Sequence, residues 1–412
     1  MDNAMPWRKR HPVLRWLLII FAAVAALWVA TVAIAALIYP TQYVWRLVMW
    51  GDSDVGDVDR FPARPLHAAV VPQRLERAYA DETVRQAFAR NNEGAAVDTF
   101  MEQMGTQAFI VIRRDKVIYE RYFGGVRDDT LLTSFSMAKS IVSDLIGCAI
   151  AEGKIRSLDD PITRYLPELA ARDARFAQIT IRHLLRMSSG IRYEEAHFFN
   201  GDDAKTYYYP ELRALALQQT RIELAPGARF HYNNYHPLLL GLILERTTGT
   251  SVTQYLQEEL WTPLGMEYDG SWSLDSETDG LEKLESGVNA RAIDFAKLGL
   301  LMLHEGRRDG VQILPAQWVR EATSPPAQRP TAYHSDQAWM AKTPRIYYSY
   351  MWWGLDKGGG RYDFTAVGKY AQLVFVSPRN DVVIVRNGTR WGVETPKWIA
   401  VFSALADQLG MQ

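Results

Sequence analysis

The sequence predicts an α+β domain, an antiparallel sheet flanked by helices with a mainly helical subdomain, preceded by one N-terminal transmembrane helix. Three observations carry this reading. β-rich runs lie near both ends of the region beyond residue 95, so distant segments must pair to close one sheet. Between about residues 153 and 303 the apolar residues recur with helical period. Ahead of both stands an apolar run of about 24 residues, Trp16 to Tyr39, enough to cross the hydrocarbon core as a helix.

Arg8, Lys9, Arg10 and Arg15 precede this run, and Asp52, Asp54, Asp57 and Asp59 follow it. Basic residues stay on the cytoplasmic side of a span. The expected order is therefore a cytoplasmic basic segment (1–15), a single-pass anchor (16–39) and the remainder outside the cytoplasm. Ala33-Ile34-Ala35 also reads as a processing site, although a cleaved signal peptide has a shorter apolar core. Trp45 and Trp50 are expected near the membrane interface. Residues 40–95, interrupted by Arg60-Phe61-Pro62-Ala63-Arg64-Pro65, read as an extended connector.

The catalytic domain is expected over 96–412, with the helical subdomain at roughly 153–303. Ala108 to Arg113 and Lys116 to Tyr122 form a hairpin around Arg114-Asp115, and Gln372 to Val376 and Val382 to Arg386 supply further strands. The amphipathic stretch Trp398 to Leu409 packs on that sheet, and Ala292 to Leu303 is a helix of the subdomain.

Composition narrows the function. With 412 residues, 48% of them hydrophobic, the chain buries a substantial core. A net charge of −1 gives no footprint for nucleic acid. The single cysteine, Cys148, excludes an intramolecular disulfide and reads as a small packed hydrophobe. There is no His-Glu-x-x-His, and the eight histidines show no ligand spacing, so neither a metal nor another cofactor is expected.

The chemistry is best argued from Ser136-Met137-Ala138-Lys139, which opens a helix whose apolar face runs through Ile141, Val142, Leu145, Ile146 and Ala149 and stops at Gly153. Residues three apart share a helix face, so Lys139 reaches the Ser136 hydroxyl, which becomes nucleophilic when a base removes its proton. Thr133 and Ser134 are expected to supply capping hydroxyls, and unpaired amides of the first turn favour negative charge beside Ser136. Burial would depress the Lys139 pKa and leave a neutral amine. About a hundred residues later a Pro-Gly turn leads into Tyr232-Asn233-Asn234 and the apolar helix Leu238 to Leu244. Tyr232 and Asn234 then point the same way, a phenol able to pass a proton and an amide able to orient substrate and lysine. Tyr207-Tyr208-Tyr209 and Trp352-Trp353 are aromatic clusters suited to an acyl pocket or to core packing.

Together these motifs resemble the serine β-lactamase and penicillin-binding-protein superfamily, especially its class C β-lactamase-related branch of carboxylesterases and 6-aminohexanoate-dimer hydrolases. Further stretches in the family order are Ile155 to Pro161, Ile181 to Gly190 and Gly287-Val288-Asn289-Ala290. The resemblance covers roughly 95–410. It implies a β-lactamase/transpeptidase-like fold, acylation of Ser136, deprotonation assisted by Lys139, proton transfer through Tyr232, and Asn234 as the orienting amide. The family's third motif corresponds to Thr365-Ala366-Val367-Gly368-Lys369, where no cation precedes the glycine. Gly368 is then the oxyanion-supporting position, and Lys369 is the neighbouring cation that would read a carboxylate in place of the missing one.

The resulting expectation is a membrane-anchored serine hydrolase of a small-molecule ester, amide or peptide, at a bacterial inner membrane with the catalytic domain periplasmic or otherwise extracytoplasmic. The alternatives are a β-lactamase or D-alanyl peptidase-like activity, and an inactive membrane-tethered binding protein that keeps the fold.

Overall fold

A computed structural model describes residues 12–196 and 198–411; Arg8, Lys9 and Arg10 lie outside the described residues. Helix α1 (Pro12–Ile38) leads through Pro40 into helix α2 (Thr41–Trp50) and strand β1 (Ala63–Leu66). The Val13–Ile38 stretch is long and apolar enough to cross a membrane, a property that signal sequences share. Then come β2 (Glu76–Arg77), helix α3 (Asp81–Asn91), β3 (Thr106–Arg113), β4 (Lys116–Tyr122) and β5 (Leu132–Thr133). Helix α4 (Ala138–Ala151) begins right after β5, and helix α5 (Tyr235–Thr248) packs against it. Strands β6 (Gly270–Ser273) and β7 (Val288–Ala290), helix α6 (Ala292–Leu303) and a small ribbon of β8 (Arg307–Arg308) and β9 (Val311–Gln312) follow. The chain closes with β10 (Ile346–Ser349), β11 (Trp352–Gly358), β12 (Arg361–Gly368), β13 (Gln372–Ser377), β14 (Val382–Gly388) and helix α7 (Thr395–Gly410).

Eight strands form the main sheet in the order β10-β11-β12-β13-β14-β3-β4-β2. All neighbours are antiparallel except the short β2–β4 pair. The expected closure by distant segments is the β14–β3 ladder, in which Ile384 lies opposite Val111. The β3–β4 hairpin turns on Arg114 and Asp115, both with positive φ, the pair of left-handed residues that matches the twist of a two-residue hairpin. A second sheet, β1-β6-β7-β5, lies beside the start of α4.

Successive side chains alternate faces along a strand, so the two covers of the main sheet can be told apart. Gly299 of α6 lies against Val374 and Val383, so close that a Cβ there would stand 2.6 Å from Val383 Cγ1. Phe402 of α7 packs on Phe109 and Phe375, residues of the opposite face. The sheet is therefore a middle layer between helices. The reading of Trp398 to Leu409 as a sheet-packing helix agrees with this. Ala292 to Leu303, assigned above to the helical subdomain, instead covers the sheet, where Gly299 lets it seat closely on β13 and β14.

The expectation of an extended connector over 40–95 needs the larger correction. That segment holds α2, β1, β2 and α3, and it is built into the domain. Tyr43, Val44 and Arg46 of α2 are buried, β1 completes the second sheet, and α3 packs on α7. The Pro-interrupted stretch is extended because β1 pairs with β6, Pro65 opposite Ser271.

One buried cation ties the chain ends together. Arg386 of β14, fully buried, donates to Thr106 Oγ1 (2.9 Å) and to the carbonyls of Met104, Tyr370 and Ala371 (2.8 Å each), and it lies 4.3 Å from the Trp398 ring centroid. Burial pulls its pKa down to about 9. An apolar replacement removes the donors and leaves three carbonyls in the interior. Arg386→Met is expected to lower stability by about 3 kcal/mol or more, read as an earlier thermal unfolding transition in detergent.

Candidate active site

Ser136 occupies a tight turn, Phe135–Met137, that feeds into α4. The expected capping hydroxyls do not cap: Ser134 Oγ donates to the Phe135 carbonyl, and no side chain bonds the helix's first amides. The turn is held by the backbone. Ser134 N–H donates to the Val288 carbonyl (2.8 Å), and Ser134 O lies where a Cβ on Gly368 would come within 2.2 Å. Phe135 sits at φ 42°, a left-handed conformation that costs a non-glycine residue energy and that packing must hold in place. Its ring packs between those of Tyr207 and Tyr370.

Lys139 lies one turn on and is 1% exposed. Its Nζ stands 2.7 Å from Ser136 Oγ and donates to the Glu285 carbonyl at 2.8 Å. Burial lowers its pKa to about 7, against the opposing pull of the Glu285 and Glu195 carboxylates. The amine is thus available as an acceptor near neutral pH. Tyr232 completes the group, its ring centroid 5.0 Å from Lys139 Nζ. Burial raises its pKa, and a hydrogen bond with Ser136 pulls the other way, so the phenol is neutral when the lysine loses its proton. Trp353 and Tyr348 back the Tyr232 ring, each with centroids 6.1 Å away, while Trp352 packs on Phe364 away from the site.

The fold therefore brings Ser136, Lys139 and Tyr232 together. Asn234 has a different position from the one expected. It lines the same cavity, but its Nδ2 donates to Tyr193 Oη (2.8 Å) and Thr206 Oγ1 (3.2 Å), and the lysine is oriented by the Glu285 carbonyl instead. Lys369 also lines the cavity, yet its ammonium pairs with Asp52 (2.8 Å) and donates to Ser53 Oγ (2.7 Å) and Ser53 O (3.1 Å). As a free carboxylate reader it is already occupied. Gly368 ends β12 against the nucleophile turn, where only a residue without Cβ lets the two backbones meet.

Sequence reasoning missed the loop before β7. Glu285 and Lys283 are both buried and pair at 3.2 Å; Lys283 also donates to the Tyr207 carbonyl and lies 3.8 Å from that ring's centroid. The signal was there in Glu282-Lys283-Leu284-Glu285-Ser286, a charged run directly ahead of Gly287-Val288-Asn289-Ala290. Histidines also converge more than their spacing suggested. Ligand atoms of His231, His334 and Asp336 lie within 4.8 Å of one another, but the two rings stack at 3.8 Å and 10°, so their lone pairs run side by side.

A cavity of about 460 Å³ opens onto Ser136. Tyr207, Tyr208, Glu195 and Asp203 form part of its wall, while Tyr209 packs away against Tyr43. The opposite rim comes from the N-terminal segment: Trp28 of α1, Leu47 and Val48 of α2, and the turn at Asp52 and Ser53.

Comparison with known proteins agrees with this geometry. The chain is 26% identical over 323 residues to the 6-aminohexanoate-dimer hydrolase of Paenarthrobacter ureafaciens, covering 74% of this chain and 78% of that protein. It is 31% identical over 189 residues to esterase EstB of Burkholderia gladioli, 41% of this chain and 47% of that one. Among solved structures, a Bacillus anthracis protein provisionally named 6-aminohexanoate-dimer hydrolase superposes with a TM-score of 0.71 at 21% identity, covering 90% of this chain and 94% of its own. A class C β-lactamase superposes with a TM-score of 0.57 at 15% identity, over 81% and 99% of the two chains. The Beta-lactamase family model matches residues 94–405, and so takes in the nucleophile turn, every strand of the two large sheets except β1 and β2, and the cavity wall apart from its N-terminal rim. The chain is a serine hydrolase belonging to the β-lactamase family, within the serine β-lactamase and penicillin-binding-protein superfamily.

Proposed function

We propose that this protein hydrolyses an ester or amide that needs no substrate carboxylate, through an acyl-enzyme on Ser136. The observation that carries the reading is the buried Lys139, whose Nζ stands 2.7 Å from Ser136 Oγ with its pKa brought to about 7. A neutral amine at that distance takes the serine proton as Oγ attacks the carbonyl carbon. The neutral phenol of Tyr232 then relays a proton to the leaving alcohol or amine, and water releases the acid by the same route in reverse. The Ser136 amide and one contributed by the backbone at Gly368 are the proposed donors to the developing oxyanion. Asn234 acts on the substrate side of the cavity and on its wall, through Tyr193 and Thr206.

Charge in the cavity supports the substrate class. Among the described residues lining it, Lys369 is the cation, and it is paired; Asp52, Glu195, Asp203 and Glu285 are the carboxylates around it. A penicillin or D-alanyl peptide carboxylate meets repulsion there. The names of the relatives, a 6-aminohexanoate-dimer hydrolase and an esterase, support hydrolysis of an amide or an ester.

We propose further that α1 is retained as a single-pass anchor at a bacterial inner membrane, with residues 1–15 cytoplasmic and the domain from about residue 40 extracytoplasmic. Tyr39 at its end already engages the domain, its hydroxyl 3.3 Å from Asn200 Oδ1. In carbonate-washed membranes the full-length protein should stay with the pellet and its domain should be cut by protease added from the periplasmic side; recovery in the soluble fraction as a shortened chain would mean processing.

Two measurements address the chemistry. A fluorophosphonate probe is expected to form one adduct, on the peptide containing Ser136, and Ser136→Ala should lose both adduct and turnover; a folded protein without an adduct would return the binding-protein reading. The base must be neutral to act, so kcat/KM should be low below pH 7 and rise through a limb near the Lys139 pKa of about 7. A profile that falls across that range would remove Lys139 from the role of base.

A further inference from the structure

We infer that the substrate is a bilayer-borne acyl amphiphile with a neutral or cationic head, its chain reaching Ser136 past α1 and α2. The inference rests on the serine-hydrolase and anchor readings above and adds what the cavity is for.

The first observation is the origin of the cavity rim. Ser136 shares one cavity with Trp28, a residue of the apolar helix, and with Leu47 and Val48 of α2. At about 1.5 Å per residue the Val13–Ile38 stretch is about 39 Å long, some 9 Å more than the hydrocarbon core. Its last turns therefore rise beside the domain, where Ala35 is buried and Val32 and Tyr39 pack on the core. On that scale the hydrocarbon boundary falls near Val32, about six residues before the helix end, and Trp28 lies about 6 Å deeper. The cavity rim thus reaches into the bilayer.

The second observation is the face around that rim. Trp45, Val48 and Met49 of α2 are 51%, 38% and 63% exposed, and they continue the apolar surface of Leu37 and Ile38. The opposite side of α2 is fixed: Arg46, 2% exposed, donates to the Tyr208 carbonyl (2.9 Å) and the Asp275 carbonyl (2.7 Å), and Tyr43 donates to the Phe199 carbonyl (2.9 Å). The outer face of α2 is thus held in one orientation, continuous with the span. A bilayer covers such a face at no cost in stranded polar groups.

The third observation is charge. The inner wall presents Glu195 and Asp203, and the lysine at the mouth is matched by Asp52. A head group that is neutral or carries an ammonium suits this wall, and a phosphate or carboxylate does not. In the reaction Ser136 Oγ bonds to the acyl carbon, the carbon–oxygen or carbon–nitrogen bond to the head breaks, and the head leaves with the serine proton. Water then gives the free fatty acid and regenerates Ser136.

The test uses the full-length protein in phosphatidylcholine vesicles with p-nitrophenyl acetate, hexanoate and dodecanoate. Turnover of the dodecanoate should exceed that of the acetate by at least about tenfold and should follow its mole fraction in the bilayer rather than its bulk concentration. Leu47→Asp/Val48→Asp should cut the dodecanoate-to-acetate ratio by about tenfold, with fluorophosphonate labelling of Ser136 reporting that the variant is folded. Between two dodecanoyl esters, one with a choline and one with a carboxylate-bearing leaving group, the choline ester should be preferred by about tenfold. Turnover of all three p-nitrophenyl esters with a flat chain-length profile in the wild type overturns the inference and leaves the serine hydrolase standing. Absence of turnover together with absence of a Ser136 adduct overturns the earlier reading instead.

Discussion

A lysine amine shut away from water, with one serine hydroxyl and one backbone carbonyl for company, is the constraint around which this structure is arranged. Neither contact carries a full charge, so the site favours the neutral amine, and any opening that admitted water would restore the ammonium. Each surrounding element keeps that environment closed. Helix α4 supplies the apolar bed, the loop before β7 supplies the Glu285 carbonyl, and Tyr232 with Trp353 forms the lid on the remaining side. The Lys283–Glu285 pair matters here because it fixes the loop's position while offsetting its own charge. Among the described residues its Glu285 Oε2 finds no hydrogen-bond partner, a small cost in a region that must hold its shape.

Much of this was legible in the sequence, for identifiable reasons. Apolar period located α4 and α7, β-rich runs located β3, β4, β13 and β14, and the three-residue spacing of Ser136 and Lys139 required nothing beyond helix geometry. What stayed hidden depends on contacts that no local pattern encodes. Asn234 looked like an orienting amide because of its distance from Tyr232 in sequence, but its partners are Tyr193, from a loop, and Thr206, from the short helix Asp202–Tyr208. Lys369 looked like a spare cation because its partners, Asp52 and Ser53, lie more than three hundred residues away. The stretch over 40–95 read as a connector because its strands are short and prolines punctuate it; only pairing with β6 and packing on α7 make it part of the domain.

The same misreading explains why the N-terminal segment forms a wall of the site. Arg46 is a charged residue in a short helix, an ordinary surface feature in sequence. In the fold it reaches the carbonyls of Tyr208, at a helix end, and of Asp275, and its guanidinium lies 5.1 Å from the Phe61 ring centroid. Trp50, Phe61, Tyr207 and Tyr208 then pack edge to face or tilted around it. This aromatic group links the helix that leaves the apolar span to the residues facing Ser136, so the geometry at the cavity mouth and the path of α1 and α2 are one problem in packing.

Cys148 carries a different implication. It lies on the buried side of α4, nine residues after Lys139, and burial with Asp144 nearby pushes its thiol well above the ordinary range. A domain of this size assembled without a single cross-link owes nothing to an oxidant or an isomerase. It can mature at the same rate whether the surroundings reduce disulfides or form them, and the one thiol open to a wrong pairing is sealed in the core once the nucleophile helix docks.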